Sequence, residues 1–175
     1  LTGATYTATD VASTVNKIVV EDDLVDGTFT FAAGSNTLTI GDAAGVNDGG
    51  TDEITTSVAL VVSGAATNDS MTIEMASSVV DMNSAAITTT GVEELTISNS
   101  KEDTDYDIGA ITMTASSGGT TTVKFTGSKN ANADAITAQI IDASGLTGTA
   151  ALTMDAAAVT VTTITGSAGN DTLLG

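Results

Sequence analysis

The stretch GSAGNDTLLG, from Gly166 to Gly175, combines a turn with the start of a strand in ten residues. Its three glycines and the adjacent Asn170 and Asp171 are residue types that adopt positive φ or close a turn with their own side chains. Leu173 then begins a short apolar segment that we expect to point into a core. The turn exposes backbone carbonyls and Asp171 adds a carboxylate, so the stretch predicts an oxygen-rich turn that leads into a β-strand.

The same succession of turns and short strands runs along the whole chain. Apolar residues alternate with threonine, which is the period-2 pattern of a half-buried strand, and Gly, Asn, Asp and Ser separate the segments. Strand centres lie roughly 10 to 20 residues apart, in the range of one strand per solenoid rung. The predicted strands are KIVV (Lys17–Val20), TFTF (Thr28–Phe31), TLTI (Thr37–Ile40), VALVV (Val58–Val62), MTIEM (Met71–Met75), ELTIS (Glu94–Ser98), AITMT (Ala110–Thr114), TTVKF (Thr121–Phe125), ITAQII (Ile136–Ile141), AALTM (Ala150–Met154) and VTVTTI (Val159–Ile164).

No long segment has the 3.6-residue period of a helix. The best helix candidate, Ala131–Ile141, contains Ala and Gln, but its Ile and Thr residues favour a strand or a single turn. The sequence therefore predicts an all-β fold, an irregular parallel β-helix or β-solenoid, with β-sandwich domains as the alternative. We expect one β-rich domain over residues 1–175, and a subdivision near residue 90 is the alternative.

The composition excludes several kinds of chemistry and several classes of partner. The 175-residue chain has no Cys and no His, which removes disulfides, thiolate zinc sites and most general-base chemistry. Its net charge of −18 repels the phosphates of nucleic acids and the headgroups of anionic lipids. No apolar run approaches the roughly 18 residues that a membrane span needs. We therefore expect neither a nucleic-acid partner nor membrane insertion.

The terminal stretch aligns with the glycine-rich nonapeptide GGxGxDxUx, in which U is a large apolar residue. Gly166, Gly169, Asp171 and Leu173 occupy the first, fourth, sixth and eighth positions, and Ser167 replaces the second glycine. Here the chain resembles RTX proteins, the calcium-binding β-roll proteins exported by type I secretion. The resemblance implies calcium-binding turns, with Ca²⁺ held near Gly169, Asn170 and Asp171 between consecutive turns, and it implies that residues 166–175 begin a truncated nonapeptide array.

Two other regions carry the same resemblance. The segment GGTDEI (Gly49–Ile54) is similar to a nonapeptide copy that lacks one residue, with Asp52 at the aspartate position and Asp48 nearby. The segments GVEELTIS (Gly91–Ser98) and DASGLTGTAALTM (Asp142–Met154) resemble rungs of large RTX surface-layer proteins and related repetitive adhesins of Gram-negative bacteria. Asp142 is accordingly predicted to be a turn cap or a metal ligand.

The segment KEDTDYD (Lys101–Asp107) places Asp103, Asp105 and Asp107 at every second position. In a strand these carboxylates would share one face, and in a loop they could surround an ion. The segment is not an EF-hand, which needs glycine where Ile108 stands and glutamate where Thr114 stands. A calcium site and a solvated acidic loop are the two interpretations.

An enzyme and a regular threonine face are both disfavoured by the sequence. The chain contains neither HExxH nor GxSxG, and the adjacent Glu93 and Glu94 would face opposite sides of a strand, so we expect no catalytic residues. Four Thr-x-Thr pairs resemble the flat faces of ice-binding solenoids, but their uneven spacing in the sequence predicts no face in register. The pairs are Thr28/Thr30, Thr37/Thr39, Thr112/Thr114 and Thr160/Thr162.

The class of function that the sequence favours is structural assembly. An acidic, Cys-free chain rich in Thr, Ala and Gly is typical of a secreted component of a bacterial surface layer, and an RTX adhesin or biofilm-matrix module that binds a glycan or a cell surface is the alternative. Carboxylates repel one another without calcium, whereas each bound ion removes two negative charges and ties neighbouring turns together. We expect self-association into a lattice or filament, with cell-surface polysaccharide as a further partner.

Overall fold

All the regular secondary structure in the described part of the protein is β-strand. The structure is a computed structural model, and it describes residues 4–7, 16–20, 24–41, 54–64, 66–75, 82, 85–99, 105–157 and 160–174. These residues form fifteen strands, and no helix among them is long and apolar enough to cross a membrane. The strands are β1 (Ala4–Thr7), β2 (Lys17–Val20), β3 (Leu24–Ala32), β4 (Ser35–Ile40), β5 (Ile54–Ser63), β6 (Ser70–Met75), β7 (Ala85–Thr90), β8 (Glu94–Asn99), β9 (Tyr106–Thr114), β10 (Thr122–Gly127), β11 (Ala131–Thr137), β12 (Ile140–Leu146), β13 (Leu152–Ala157), β14 (Thr163–Thr165) and β15 (Thr172–Leu173).

Consecutive strands alternate between two sheets. The odd-numbered strands form a sheet of eight from β1 to β15, and the even-numbered strands form a sheet of seven from β2 to β14. Each strand pairs with the strand two places along the chain, and all these pairings are parallel. A parallel pair needs a crossover connection, and here the crossover contains the intervening strand of the opposite sheet. The predicted all-β class is confirmed, and the topology is consistent with a parallel β-helix or β-roll.

The core consists of rows of apolar side chains that lie in register from strand to strand. Leu38, Ile73, Ile97 and Phe125 form one row across β4, β6, β8 and β10, and none of these four side chains is exposed. Burying a large apolar side chain contributes about 1.5–3 kcal/mol, so such rows hold successive strands together. The residues between them face outward, as the alternating sequence pattern predicts.

Two polar side chains interrupt the apolar rows of the sheet of odd strands. Thr89 lies in register with Leu60 and Met113, and Tyr106 lies in register with Ala131. Both side chains are buried, and neither hydroxyl has a hydrogen-bond partner among the described residues. Burial raises the pKa of Tyr106.

The predicted strand Ile136–Ile141 is wrong as a single element. β11 ends at Thr137 and β12 begins at Ile140, and the segment turns a corner between them. The N–H of Gln139 donates to Oγ1 of Thr121, and the N–H of Thr121 donates to Oε1 of Gln139, each at 2.9 Å. This reciprocal pair satisfies two corner amides, so the chain can change direction without a glycine or proline. The same region confirms that Ala131–Thr137 is a strand and not the start of a helix.

Two further differences concern strands rich in threonine. The sequence pattern does not predict β7, because its AAITTT sequence ends in three consecutive threonines that hide the alternation. Conversely, β14 covers Thr163–Thr165, so within the described residues the predicted strand Val159–Ile164 starts too early. Threonine has a high strand propensity wherever it stands, and it therefore marks strand ends poorly.

Candidate functional site

Polar residues stand immediately before three of the odd-numbered strands, β9, β11 and β15, and Ala151 stands before β13. Asp105, Asn130 and Asp171 use their side chains at this position, and we call them, together with Ala151, the first corner stack. The N–H and Nδ2 of Asn130 donate to the two carboxylate oxygens of Asp105 at 3.0 and 2.9 Å. Oδ1 of Asn130 in turn accepts the N–H of Ala151 at 2.9 Å. Each side chain therefore satisfies an amide of the neighbouring layer, which a sharp corner would otherwise leave without a partner.

The carboxylate of Asp171 closes the terminal turn. Its Oδ1 accepts the N–H of Leu152 at 2.8 Å and the hydroxyl of Ser167 at 2.7 Å, and its Oδ2 accepts the N–H of Ser167 at 2.8 Å. Burial acts to raise the pKa of Asp171, but the hydrogen bonds from Leu152 and Ser167 outweigh it and lower that pKa below its usual value. Asp171 thus binds amide and hydroxyl donors of its own chain, and Asn170 beside it is exposed.

The glycine before Asn170 is required by a close backbone approach. A Cβ atom at Gly169 would lie 2.6 Å from the carbonyl oxygen of Thr149, which real side chains do not tolerate. The glycine-rich turn therefore packs directly on the layer before it. This close contact is sufficient reason for a glycine at position 169, whether or not a metal ion binds nearby. The contact also places carbonyl oxygens of the preceding layer beside the turn.

Asp107 lies on the outer face of the sheet of odd strands, where it contacts Asn132. Nδ2 of Asn132 donates to Oδ1 of Asp107 at 2.7 Å. Asp107, Asp134 and Asp155 line a surface depression of about 230 Å³ on β9, β11 and β13. All three aspartates are exposed, so water as well as a cation can satisfy them.

Asp142 lies in the opposite sheet, on β12, in register with Lys124 and Thr165. Its Oδ1 accepts the N–H of Ser144 at 2.9 Å, which is the turn-cap arrangement. Hydrogen bonds from the hydroxyl and N–H of Ser144 lower the pKa of Asp142, burial opposes them, and the nearby charge of Lys124 lowers it further.

The structure places the predicted metal ligands in separate regions. Gly169, Asn170 and Asp171 lie in the terminal turn, Asp105 and Asp107 flank Tyr106, and Asp142 lies in the other sheet. Asp48, Asp52 and Asp103 lie outside the described residues. Within the described ranges, no group of three or more Asp, Glu, His or Cys side chains converges on a point that could hold a metal ion.

A second corner stack, which the sequence patterns did not predict, precedes the even-numbered strands. Its members are Asp69, Glu93, Thr121 and Gln139, in line with Gly34. Oδ1 of Asp69 accepts the N–H of Gly34 at 2.6 Å, and Oε2 of Glu93 accepts the N–H of Asp69 at 2.9 Å. Each carboxylate thus reaches back one layer to the amide of the preceding corner. Asp69 and Glu93 are only 1% and 6% exposed, so this stack contains two buried acidic groups.

Glu93 also joins two segments of the chain. Its Oε1 accepts the N–H of Ser116 at 2.7 Å, and Gly119 lies so close that a Cβ there would be 2.7 Å from the same oxygen. The next residue, Glu94, faces the other way and forms an ion pair with Lys124, with 2.6 Å between Oε2 and Nζ. The expected opposite orientation of Glu93 and Glu94 is therefore confirmed.

One sequence signal would have found the second corner stack. Each member stands two positions before the first buried apolar residue of an even-numbered strand, as in Asp69 before Met71 and Glu93 before Leu95. A polar residue at this position is easily read as part of a solvated turn, because turns are rich in Asp, Glu and Thr. In a solvated turn the side chain points to solvent, whereas at these corners it points inward to the preceding corner.

The outer face of the odd-numbered strands carries two rows of threonine in register. Thr28 and Thr30 on β3 are followed by Ala59 and Val61 on β5, then by Thr-x-Thr pairs on β7 and β9. We call these eight positions the threonine face; they are Thr28, Thr30, Ala59, Val61, Thr88, Thr90, Thr112 and Thr114. The prediction that no Thr-x-Thr pairs lie in register is wrong, although Thr37/Thr39 lies in the other sheet and Thr160/Thr162 precedes β14.

The outer face of the even-numbered strands is different, because it carries charges of both signs. Lys17 lies 3.5 Å from Glu74, and Lys124 is paired with Glu94. The threonine face contains no charged residue, although the whole chain has a net charge of −18.

No protein-family model matches this sequence, and no curated protein or solved structure matches it.

Proposed function

We propose that this protein is a structural component of a bacterial surface layer or related extracellular assembly, in which copies associate through the threonine face. The observation that carries the proposal is the uncharged face on a strongly acidic chain. Two copies with 18 net negative charges each repel one another. Contact is least unfavourable where neither surface carries charge, and the threonine face is such a surface.

The geometry of the face suits a contact between sheets. Its side chains are small and nearly equal in size, and Val61 differs from threonine only in having a methyl group in place of the hydroxyl. Strands about 4.8 Å apart and side chains on one face about 6.6 Å apart give a patch of about 250 Å². A stable pairwise interface buries about 800 Å² on each partner. One such contact is therefore weak, and it becomes effective when it is repeated in an array.

Calcium belongs to the proposal as the ion that permits assembly. The exposed aspartates Asp107, Asp134 and Asp155 lie on the same sheet as the threonine face, at its β9–β13 end. Carboxylate oxygens are ligands that calcium prefers, and water completes its shell of six to eight oxygens. Binding there would lower the repulsion between approaching copies. Secretion to a calcium-rich exterior would then couple export to assembly.

An adhesin that binds a glycan is the alternative function, and the structure offers it less support. Sugar-binding surfaces commonly use aromatic platforms on which a ring can stack. The aromatic side chains whose burial is described, Phe29, Phe31, Tyr106 and Phe125, all lie in the core. The hydroxyls of the threonine face remain as the groups that a glycan could contact.

Charges placed on the threonine face should abolish assembly. The double variant Thr88→Asp/Thr112→Asp puts two carboxylates side by side in exposed positions that lie in register. We expect wild-type protein at about 10 mM Ca²⁺, roughly ten times the Kd of about 1 mM at the weak end of extracellular sites, to form large species in sedimentation velocity and ordered arrays in electron microscopy. The double variant should stay monomeric, because like charges would meet at each contact.

Thr96→Asp is the matched control, since it adds a carboxylate to the mixed-charge face of the other sheet, beside Lys124. It should assemble like the wild type, and magnesium should not replace calcium. A wild type that remains monomeric at all calcium concentrations, or a double variant that still assembles, would contradict the proposal.

A further inference from the structure

The second corner stack contains a carboxylate oxygen with no partner. Asp69 is 1% exposed, and its Oδ1 is bound by the N–H of Gly34, but its Oδ2 is buried and accepts no hydrogen bond from the described residues. Leaving a buried polar atom without a partner is costly, and the cost is larger when the group is charged. Most such atoms in native proteins are bound by a water molecule or an ion.

The charges around Asp69 are also out of balance. Asp69, Glu93 and Glu94 line one depression of about 370 Å³ at this corner. Lys124 is paired with Glu94, and Lys17 is paired with Glu74 near the other end of β6. Among the described residues, neither of these ion pairs includes Asp69 or Glu93. A buried charge without a counterion is among the most unfavourable arrangements in a protein.

The surroundings of the corner supply further oxygen ligands. Asn68, Thr120 and Thr122 line the same depression, and these residue types carry amide and hydroxyl oxygens that can bind a cation. A mixed set of carboxylate, carbonyl and hydroxyl oxygens suits calcium, which accepts six to eight oxygen ligands in a flexible geometry. Magnesium requires near-ideal octahedral geometry, so the same set suits it less well.

We propose that the corner formed by Asp69 and Glu93 binds one divalent cation of the calcium type, with Oδ2 of Asp69 as its buried anionic ligand. The ion balances the two buried carboxylates and links the layers that begin with β6 and β8. This site is distinct from the glycine-rich terminal turn and from the exposed aspartates of the other sheet. It deepens the calcium part of the proposed function, but it does not depend on assembly.

The test is calcium binding by Asp69→Asn, with Asp26→Asn as the matched control, since Asp26 is an exposed aspartate of β3 that lines neither of the two depressions. The asparagine keeps the shape of the side chain and can still accept the N–H of Gly34, while the charge and the anionic Oδ2 are lost. We expect isothermal titration with Ca²⁺ to show one ion fewer per chain than in the wild type. The rise in Tm due to this ion, about 5–10 °C at a free calcium concentration of a hundred times its Kd, should also disappear. Asp26→Asn should keep both the full number of bound ions and the rise in Tm.

A measurement on the wild type covers the case in which Asp69→Asn does not fold. Mn²⁺ at substoichiometric concentration should broaden the amide resonances of Gly34, Asp69 and Ser116 in an NMR spectrum, and excess Ca²⁺ should reverse the broadening. Broadening elsewhere but not at these amides would overturn the site, as would an unchanged calcium stoichiometry in Asp69→Asn. If the site is overturned but assembly still requires calcium, the proposed function stands. A wild type that binds no calcium would contradict both the cation site and the proposed function.

Discussion

Glu93→Gln should lower the free energy of unfolding by about 2–3 kcal/mol. The carboxylate of Glu93 accepts the N–H of Asp69 with one oxygen and the N–H of Ser116 with the other. The glutamine side chain has one carbonyl oxygen, which replaces only one of the two carboxylate oxygens. Its NH₂ group takes the place of the other oxygen and would point at a backbone N–H that also needs an acceptor. A buried charge-assisted hydrogen bond is lost, and two donors are left facing each other.

Glu94→Gln is the control for this variant, because it makes the same chemical change one residue away. Glu94 faces outward and loses only its ion pair with Lys124, in which both side chains are about 40% exposed (38% and 42%). Such a surface pair contributes about 0–1 kcal/mol. The measurement is urea unfolding followed by far-UV circular dichroism, in chelator so that no cation contributes. Equal losses in the two variants would show that the second corner stack does not stabilise the fold.

Gly127→Ala should be the more damaging of two matched glycine substitutions, with an expected loss of about 4 kcal/mol. Gly127 has φ of 136°, a conformation that L side chains rarely adopt, and a Cβ there would lie 2.8 Å from the carbonyl carbon of Asn99. That atom belongs to the backbone of β8, which pairs with β10 and cannot move without breaking the ladder.

Gly34→Ala separates the two causes of this loss. Gly34 has a similar φ of 120°, but nothing lies within 4 Å of the position that its Cβ would take. It should therefore show only the cost of the backbone conformation, about 2 kcal/mol. Both variants can be compared by thermal and urea unfolding. If Gly34→Ala were as damaging as Gly127→Ala, the close approach of β8 and β10 would not be the cause.

The sequence pattern predicts the strands well because the alternation of apolar residues with threonine is local. Met71, Ile73 and Met75 on β6 are buried, and the residues between them are not, as the period of two requires. It predicts corners poorly, since a corner depends on contacts between layers. The residues around Asp69 and Gln139 are those usual in turns. Their side chains point inward because each accepts a hydrogen bond from a backbone N–H of the preceding layer.

The threonine face was missed for a related reason. From Thr28 to Ala59, Thr88, Thr112 and Thr137, the steps along the chain are 31, 29, 24 and 25 residues, although each step moves by one strand of the sheet. The segments that connect the strands differ in length, and this accounts for the unequal steps along the chain. Residues that are unevenly spaced in the sequence can therefore be evenly spaced on the sheet. Register between strands is set by the buried rows and not by the length of the connections.

The predicted ligands Asp105 and Asp171 illustrate how one residue pattern can serve two purposes. A carboxylate before a strand can bind a metal ion, or it can accept hydrogen bonds from the backbone amides of a neighbouring layer, and both need oxygen atoms at a turn. In this structure Asp105 and Asp171 accept amide hydrogen bonds. The sequence alone does not distinguish the two, because the donors come from residues about 20 positions away.

The stacking of parallel strands has a mechanical consequence. Hydrogen bonds between strands lie roughly along the direction in which the layers follow one another. A pull applied along this direction therefore loads one layer at a time, and the chain should yield by peeling from an end. Thr88 and Thr112 are one layer and 24 residues apart, so releasing that layer frees about 80 Å of extended chain. A fibre made of such units would lengthen in steps under load and dissipate the applied work, where a rigid rod would fracture.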